Sequence, residues 1–152
     1  MWFEALKLVH VLAAIAAVGA NLTYGIWIQR AQRDPQALRF VLHSISFIDR
    51  RLANPCYAVV LVSGLAMALT LEIPVTTPWL LAALVLYALA ALLGVLALAP
   101  TARRQRALLE SEGRHSPDYG SLAQRSGRLG FIVMLDVLII AWLMVFKPPL
   151  WS

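Results

Sequence analysis

Residues 79–99 read WLLAALVLYALAALLGVLALA, and no side chain in this run carries a charge. A transmembrane helix needs about 20 consecutive apolar residues, so the run predicts one complete crossing of a bilayer. Three further apolar stretches lie at about residues 5–28, 55–71 and 129–146. We therefore predict an all-α integral membrane four-helix bundle that forms a single domain over residues 1–152.

The composition of the chain agrees with this prediction. Apolar residues make up 61% of the sequence and charged residues 14%, whereas a soluble domain has about 25% charged residues. A water-soluble core of this size cannot bury so much apolar surface, and a disordered chain is excluded by the same composition. The single cysteine, Cys56, rules out an intrachain disulfide.

The basic residues indicate the orientation of the chain. All 11 arginines lie in residues 30–54 and 100–128, whereas Lys7 and Lys147 lie at the opposite ends of the first and fourth stretches. Because cytoplasmic connections carry the excess of basic residues, we expect both termini and the 72–78 turn on the outer side of the membrane. The net charge of +5 then predicts contact with lipid headgroups and argues against nucleic acid as a partner.

Residues 36–52 predict an amphipathic cytoplasmic helix. This helix either lies on the inner membrane surface or extends the second crossing through a bend at Asn54 and Pro55. If the second helix instead begins at this point, Asn54 is its N-cap and Pro55 is its first residue. The apolar residues of the segment recur at helical spacing: Leu38, Val41, Leu42, Ile45, Ile48 and Leu52.

The third crossing is expected to continue past Pro100 to Glu112. Arg106 and Glu110 are four residues apart and would form an ion pair on one helix face. Gly113 is a natural end for this helix.

Few polar side chains lie at membrane depth, which makes each of them a candidate functional residue. Counting about 1.5 Å per residue from the outer helix ends predicts one layer that contains His10, Ser63, Tyr87 and Asp136. A second layer, nearer the inner side, contains Asn21, Asn54 and Tyr57. On the first helix a stripe of polar and small residues predicts close contact with another helix: His10, Ala14, Ala17, Asn21 and Tyr24.

Asp136 is the most costly of these residues. An ionised carboxylate at the centre of a membrane helix costs about 2.5–3.5 kcal/mol on insertion scales. It must therefore be protonated, paired or hydrated, and we expect His10 or Tyr87 as its partner.

His10 has three readings. It is a hydrogen-bonded core histidine that ties helices together, an axial ligand of haem b, or a residue that transfers protons or binds a metal. His43 and His115 lie in the connections, so haem at His10 would use one histidine, a pair of His10 residues across a homodimer, or a second ligand of another type. No Cys/His spacing predicts a metal site, and no catalytic residue is predicted.

Several motifs resemble a known family. The opening Leu6–Ala14 (LKLVHVLAA), the segments Ser63–Leu65 and Thr77–Leu80 (TPWL), and the tail Trp142–Trp151 (WLMVFKPPLW) resemble the bacterial integral membrane proteins of domain-of-unknown-function family 2269. The opening is also similar to the first helices of the CopD-like and HemJ-like membrane families. In the HemJ-like family a first-helix histidine is associated with haem, and this resemblance implies the same role for His10 alone.

The resemblance implies a bacterial inner-membrane protein. We therefore expect a small multi-pass membrane protein with an intramembrane polar site around His10, which binds haem b and takes part in electron or proton transfer. One alternative is a non-catalytic accessory or scaffold subunit of a larger membrane complex. Another is a small proton-coupled transporter that acts as a dimer, with Asp136 as its proton site.

Overall fold

The computed structural model describes residues 1–114 and 116–150, with Pro117 described by its backbone alone. His115, which the sequence analysis assigns to a connection, and Trp151 and Ser152 lie outside the described residues. The chain forms four long helices, α1 (Trp2–Ala31), α2 (Pro35–Thr70), α3 (Pro78–Ser111) and α4 (Pro117–Phe146). Each is long and apolar enough to cross a membrane, and no strand occurs in the described part of the chain. The predicted all-α membrane bundle is confirmed.

The amphipathic segment 36–52 extends the second crossing, which is one of the two arrangements expected. Asp34 caps α2 by accepting a hydrogen bond from the Gln36 amide at 2.9 Å. The prediction that Asn54 is an N-cap is wrong, since its dihedral angles are helical and the helix runs through it. A residue that can cap a helix precedes a proline at both places, Asp34 before Pro35 and Asn54 before Pro55, but only Asp34 follows a break in the chain's helical structure.

Pro55 is accommodated inside α2 by a π-helical turn at Asp49–Ala53. A proline inside a helix lacks an N–H donor, and its ring clashes with the carbonyl four residues earlier. A π-helical turn relieves such a clash because the preceding turn is wider. The same pairing occurs in α3, where a π-helical stretch at Leu93–Leu98 precedes Pro100.

The third helix continues past Pro100, as expected, and ends at Ser111. Gly113 follows with a φ of 77°, a left-handed conformation that glycine adopts without steric cost. The chain therefore turns sharply there and enters α4.

Neighbouring helices pack in antiparallel pairs. The apolar part of α2 runs along α1, and α4 runs along α3, while α1 also touches α4. The buried positions within the apolar parts are mostly small residues, which let helix backbones approach closely: Ala13, Ala17, Ser63, Ala68 and Ala83. Large apolar side chains such as Ile15 and Phe131 are exposed around the bundle, as expected where lipid is the solvent.

The helices are longer than the bilayer requires, and their arginine-bearing ends form a separate packed region. Helix α2 has 36 residues, or about 54 Å at 1.5 Å per residue, against a hydrocarbon core of about 30 Å. We call this region the extension layer, defined by a buried cluster of residues from all four helices: Ala31, Leu38, Leu42, Leu109 and Tyr119.

Polar contacts join α2 to α3 within the extension layer. The Arg39 guanidinium donates to the Leu109 carbonyl at 3.0 Å, and His43 Nε2 lies 2.7 Å from Glu110 Oε1. The predicted Arg106–Glu110 ion pair is not formed among the described residues. Glu110 instead meets a partner from another helix, which residue spacing within a single helix could not indicate.

Candidate functional site

Three side-chain hydrogen bonds join α1 to α2 along their length. The predicted stripe on α1 supplies one partner of each bond. Ala17, which lies on the same stripe, is completely buried. The stripe therefore packs on α2, as its small and polar residues predict. The pairs are His10 with Ser63 at 2.9 Å, Asn21 with Tyr57 at 2.6 Å, and Tyr24 with Asp49 at 2.8 Å.

The hydrogen bonds of Ser63 favour one tautomer of the His10 ring. The Ser63 hydroxyl has one hydrogen, and it points back to the Val59 carbonyl one turn earlier in α2. Ser63 Oγ can therefore only accept from His10, so Nδ1 is the donor. In a neutral imidazole the other nitrogen, Nε2, then carries the free lone pair.

Gly64 allows the His10 ring to lie close to α2. A Cβ atom at residue 64 would lie 3.1 Å from His10 Cε1 and 3.6 Å from Nδ1. An alanine there would crowd the ring, whereas glycine leaves space for it. Gly64 is thus a positioning residue for His10 that depth counting did not identify, although it lies inside one of the motifs quoted above.

Tyr57 connects three helices in the second polar layer. Asn21 Nδ2 donates to its hydroxyl, and the Tyr87 hydroxyl donates to its backbone carbonyl at 3.1 Å. The prediction that Tyr87 lies in the layer of His10 is therefore wrong, because counting from helix ends ignores helix tilt and the length of a tyrosine side chain.

Asn54 does not join this second layer. Its side chain is exposed and makes no hydrogen bond within the described residues. The prediction was wrong because depth fixes the level of a residue but not the direction in which it faces around the helix.

Asp49 is a candidate residue that the sequence analysis missed. It lies in the π-helical turn, outside the apolar part of α2, and Oδ1 accepts the Tyr24 hydroxyl. Burial raises the pKa of the Asp49 carboxyl, while the Tyr24 hydrogen bond and the positive charge of Arg106 oppose this with smaller effects. The sequence pattern does indicate this position, since Asp49 lies four residues after Ile45 and so falls on the apolar face of its segment.

Asp136 has none of the partners expected for it. Its Oδ2 atom is buried without a hydrogen-bond partner among the described residues. The two expected donors are engaged elsewhere, His10 with Ser63 and Tyr87 with Tyr57. A depth argument could not exclude these bonds, because it does not show which donors α2 has already engaged.

The arrangement leaves two groups with free chemical capacity at membrane depth. His10 Nε2 can bind a metal or accept a proton, and Asp136 Oδ2 can bind a proton. Within the described residues no group of three His, Cys, Asp or Glu side chains could hold a metal ion, so any metal bound by His10 would need ligands from a cofactor or from another chain.

Comparison with known proteins identifies one family. The model of a family described as "Predicted integral membrane protein (DUF2269)" matches residues 4–148, from the first turn of α1 to just beyond α4. This confirms the resemblance to family 2269 drawn from the opening, central and tail motifs. No curated protein and no solved structure matches the chain.

Proposed function

The chain belongs to the DUF2269 family of predicted integral membrane proteins, and on that premise we propose that it binds haem b through His10 and transfers electrons within the membrane. The observation that carries the proposal is the hydrogen bond of His10 Nδ1 to Ser63 at 2.9 Å. Histidines that bind metals usually donate through one ring nitrogen to a neighbouring group and bind with the other. The similarity of the first helix to HemJ-like proteins points in the same direction.

The residues around His10 suit a flat, apolar cofactor. The ring lies beside Gly64, and Ala13 and Ala14 are small residues next to it on α1. His10 is only partly buried, as binding of a cofactor from outside a single chain requires. Haem b would supply the one-electron chemistry, and this chain would bind and orient it through His10 and Ser63.

A second ligand for the haem iron would come from a second copy of the chain. His43 cannot supply it, because it lies in the extension layer against Glu110. We therefore propose a homodimer in which each chain contributes its own His10 to the same haem.

Absorbance spectra of the purified protein test the proposal. Protein made in haem-replete cells is expected to show a Soret band that is lost in His10→Ala. His43→Ala is the matched control, because it removes a histidine outside the apolar part of α2 and should leave the band unchanged. Ser63→Ala should weaken haem affinity by roughly 10-fold or more, the usual effect of removing a partner of a metal-binding histidine. A colourless wild-type protein would reject haem binding.

A non-catalytic accessory or scaffold role is the second candidate. It is favoured by the α1–α2 contacts, in which each polar side chain finds its partner within the chain. In that role the polar groups only hold helices together. The protein would then co-purify with a larger membrane complex, and His10→Ala would lower its thermal stability without changing any spectrum.

We also propose the orientation and location that the arginines indicate, with the extension layer in the cytoplasm of a bacterial cell and both termini outside the inner membrane. A fluorescent reporter that folds only in the cytoplasm tests this. It should be dark when fused to the C-terminus and bright when inserted between α3 and α4. Strong fluorescence from the C-terminal fusion would contradict the orientation.

A further inference from the structure

Asp136 is the single acidic residue in the four predicted apolar stretches. It lies in the apolar part of α4, on the same helical face as the buried Leu143. Its Oδ2 atom is buried and has no hydrogen-bond partner in the described part of the chain. A polar atom in this position needs an explanation, because most buried polar atoms in proteins are hydrogen-bonded.

Among the described residues, the helices packed against α4 offer no compensating charge at this level. On α3 the titratable group is Tyr87, which donates to Tyr57. On α1 the titratable groups at membrane depth are His10 and Tyr24, which donate to Ser63 and Asp49, while Glu4 and Lys7 lie at the far end of that helix. Along α4 itself the nearest basic residues are Arg128 and Lys147, about 12 Å and 16 Å away at 1.5 Å per residue.

An ionised carboxylate is strongly disfavoured in such a place. Burial removes water from the charged form, and neither a donor nor a cation replaces that water. The neutral acid avoids this cost because its charge is removed by the bound proton. A metal cation fits this site less well than a proton does. Ca²⁺ takes about 6–8 oxygen ligands, and the described residues hold no group of three side chains that could bind a metal ion.

We propose that Asp136 is an intramembrane proton-binding site, in which the carboxylate takes up one proton to give a neutral carboxylic acid and later releases it to water. The proton is bound in the resting protein at neutral pH. The site is separate from His10 and does not depend on haem, so it stands or falls independently of the proposed electron transfer.

Infrared spectroscopy of the full-length purified protein tests the proposal. At neutral pH the difference spectrum of wild type minus Asp136→Asn should contain the carbonyl stretch of a neutral carboxylic acid. This band should shift in D₂O, because a site that takes up and releases a proton also exchanges it. Asp118→Asn is the matched control on the same helix, since Asp118 is exposed, and its difference spectrum should lack the band.

Two infrared results would overturn the proposal. One is a difference spectrum for Asp136 that contains only carboxylate bands. The other is a neutral-acid band that does not shift in D₂O, which would show a proton that is trapped rather than exchanged.

Asp136→Leu separates proton binding from a purely structural role. Since Oδ2 bonds to no group among the described residues, the leucine variant should fold and unfold at the same temperature as wild type or higher. A clear fall in its melting temperature, with the Asp136→Asn variant unaffected, would mean that the side chain is held by a hydrogen bond, and would overturn the proposal.

Discussion

Replacing Gly64 by alanine should disturb His10 specifically. The new Cβ would lie 3.1 Å from His10 Cε1 and 3.6 Å from Nδ1, while carbon atoms pack best at about 3.5–4.0 Å. The ring must therefore move away by about 0.5 Å to restore ordinary packing. A shift of that size along the Nδ1–Oγ direction would lengthen the 2.9 Å bond to Ser63 beyond the usual limit of about 3.2 Å.

The size of the effect follows from one stabilising contribution and two destabilising ones. Alanine is favoured over glycine inside a helix by about 1 kcal/mol. Overpacking costs about 1–3 kcal/mol, and a hydrogen bond between membrane helices contributes about 0.6 kcal/mol on average. Gly19→Ala is the matched control. In the described part of the chain, no atom beyond its two neighbours and the adjacent backbone of its own helix lies within 4 Å of the added Cβ there, and the gain in helix propensity is the same.

We therefore expect Gly64→Ala to be less stable than Gly19→Ala by about 1–3 kcal/mol. The assay is denaturant unfolding in one detergent, followed by circular dichroism, together with the NMR signals of the His10 imidazole. Equal stability of the two variants with an unchanged imidazole signal would refute the argument that Gly64 positions the ring.

The remaining predictions concern three other contacts. Ser63→Ala removes the acceptor of His10 and should lower the free energy of unfolding by about 0.6–1.7 kcal/mol, whereas Thr70→Ala, which loses only a bond to its own helix, should have a smaller effect in the same unfolding assay. Burial raises the pKa of Asp49 above its ordinary value of 3.8, so its contribution to stability is fully present below pH 3.8 and is lost as the pH rises through its folded pKa. The stability of wild type relative to Asp49→Asn, measured by denaturant midpoints across this range, should fall with rising pH, and a rise would contradict the sign. His43→Ala breaks a contact whose side chains are 63% and 51% exposed, so the change in melting temperature should correspond to no more than about 1 kcal/mol, and a larger loss would show that the pair is not screened by water.

The four crossings could be predicted from the sequence because lipid makes apolar length a direct requirement. The stripe from His10 to Tyr24 could also be predicted, because small and polar residues on one face of a membrane helix seek another helix. Its partners could not be predicted in the same way. Asp49 reaches Tyr24 from a π-helical turn, and no local residue pattern indicates that turn apart from Pro55 two residues after it.

The wrong predictions about the intramembrane polar layers share one cause. Tyr87, Asn54 and the expected partners of Asp136 were placed by depth alone, which gives one coordinate of three. The contacts of a side chain also depend on helix tilt, on its direction around the helix and on competition between acceptors. His10 could donate to Ser63 or to Asp136, and the close approach of α1 to α2 at Gly64 decides in favour of Ser63.

The extension layer responds to temperature differently from the rest of the molecule. Unfolding would expose its buried cluster to water, so the hydrophobic effect stabilises the layer. The cluster contains Ala31, Leu38, Leu42, Leu109 and Tyr119. The apolar crossings face lipid, which is as apolar as their own side chains, and gain little from that effect. Unfolding of the layer should carry most of the heat-capacity change, and cooling should loosen this end of the bundle while the crossings stay intact.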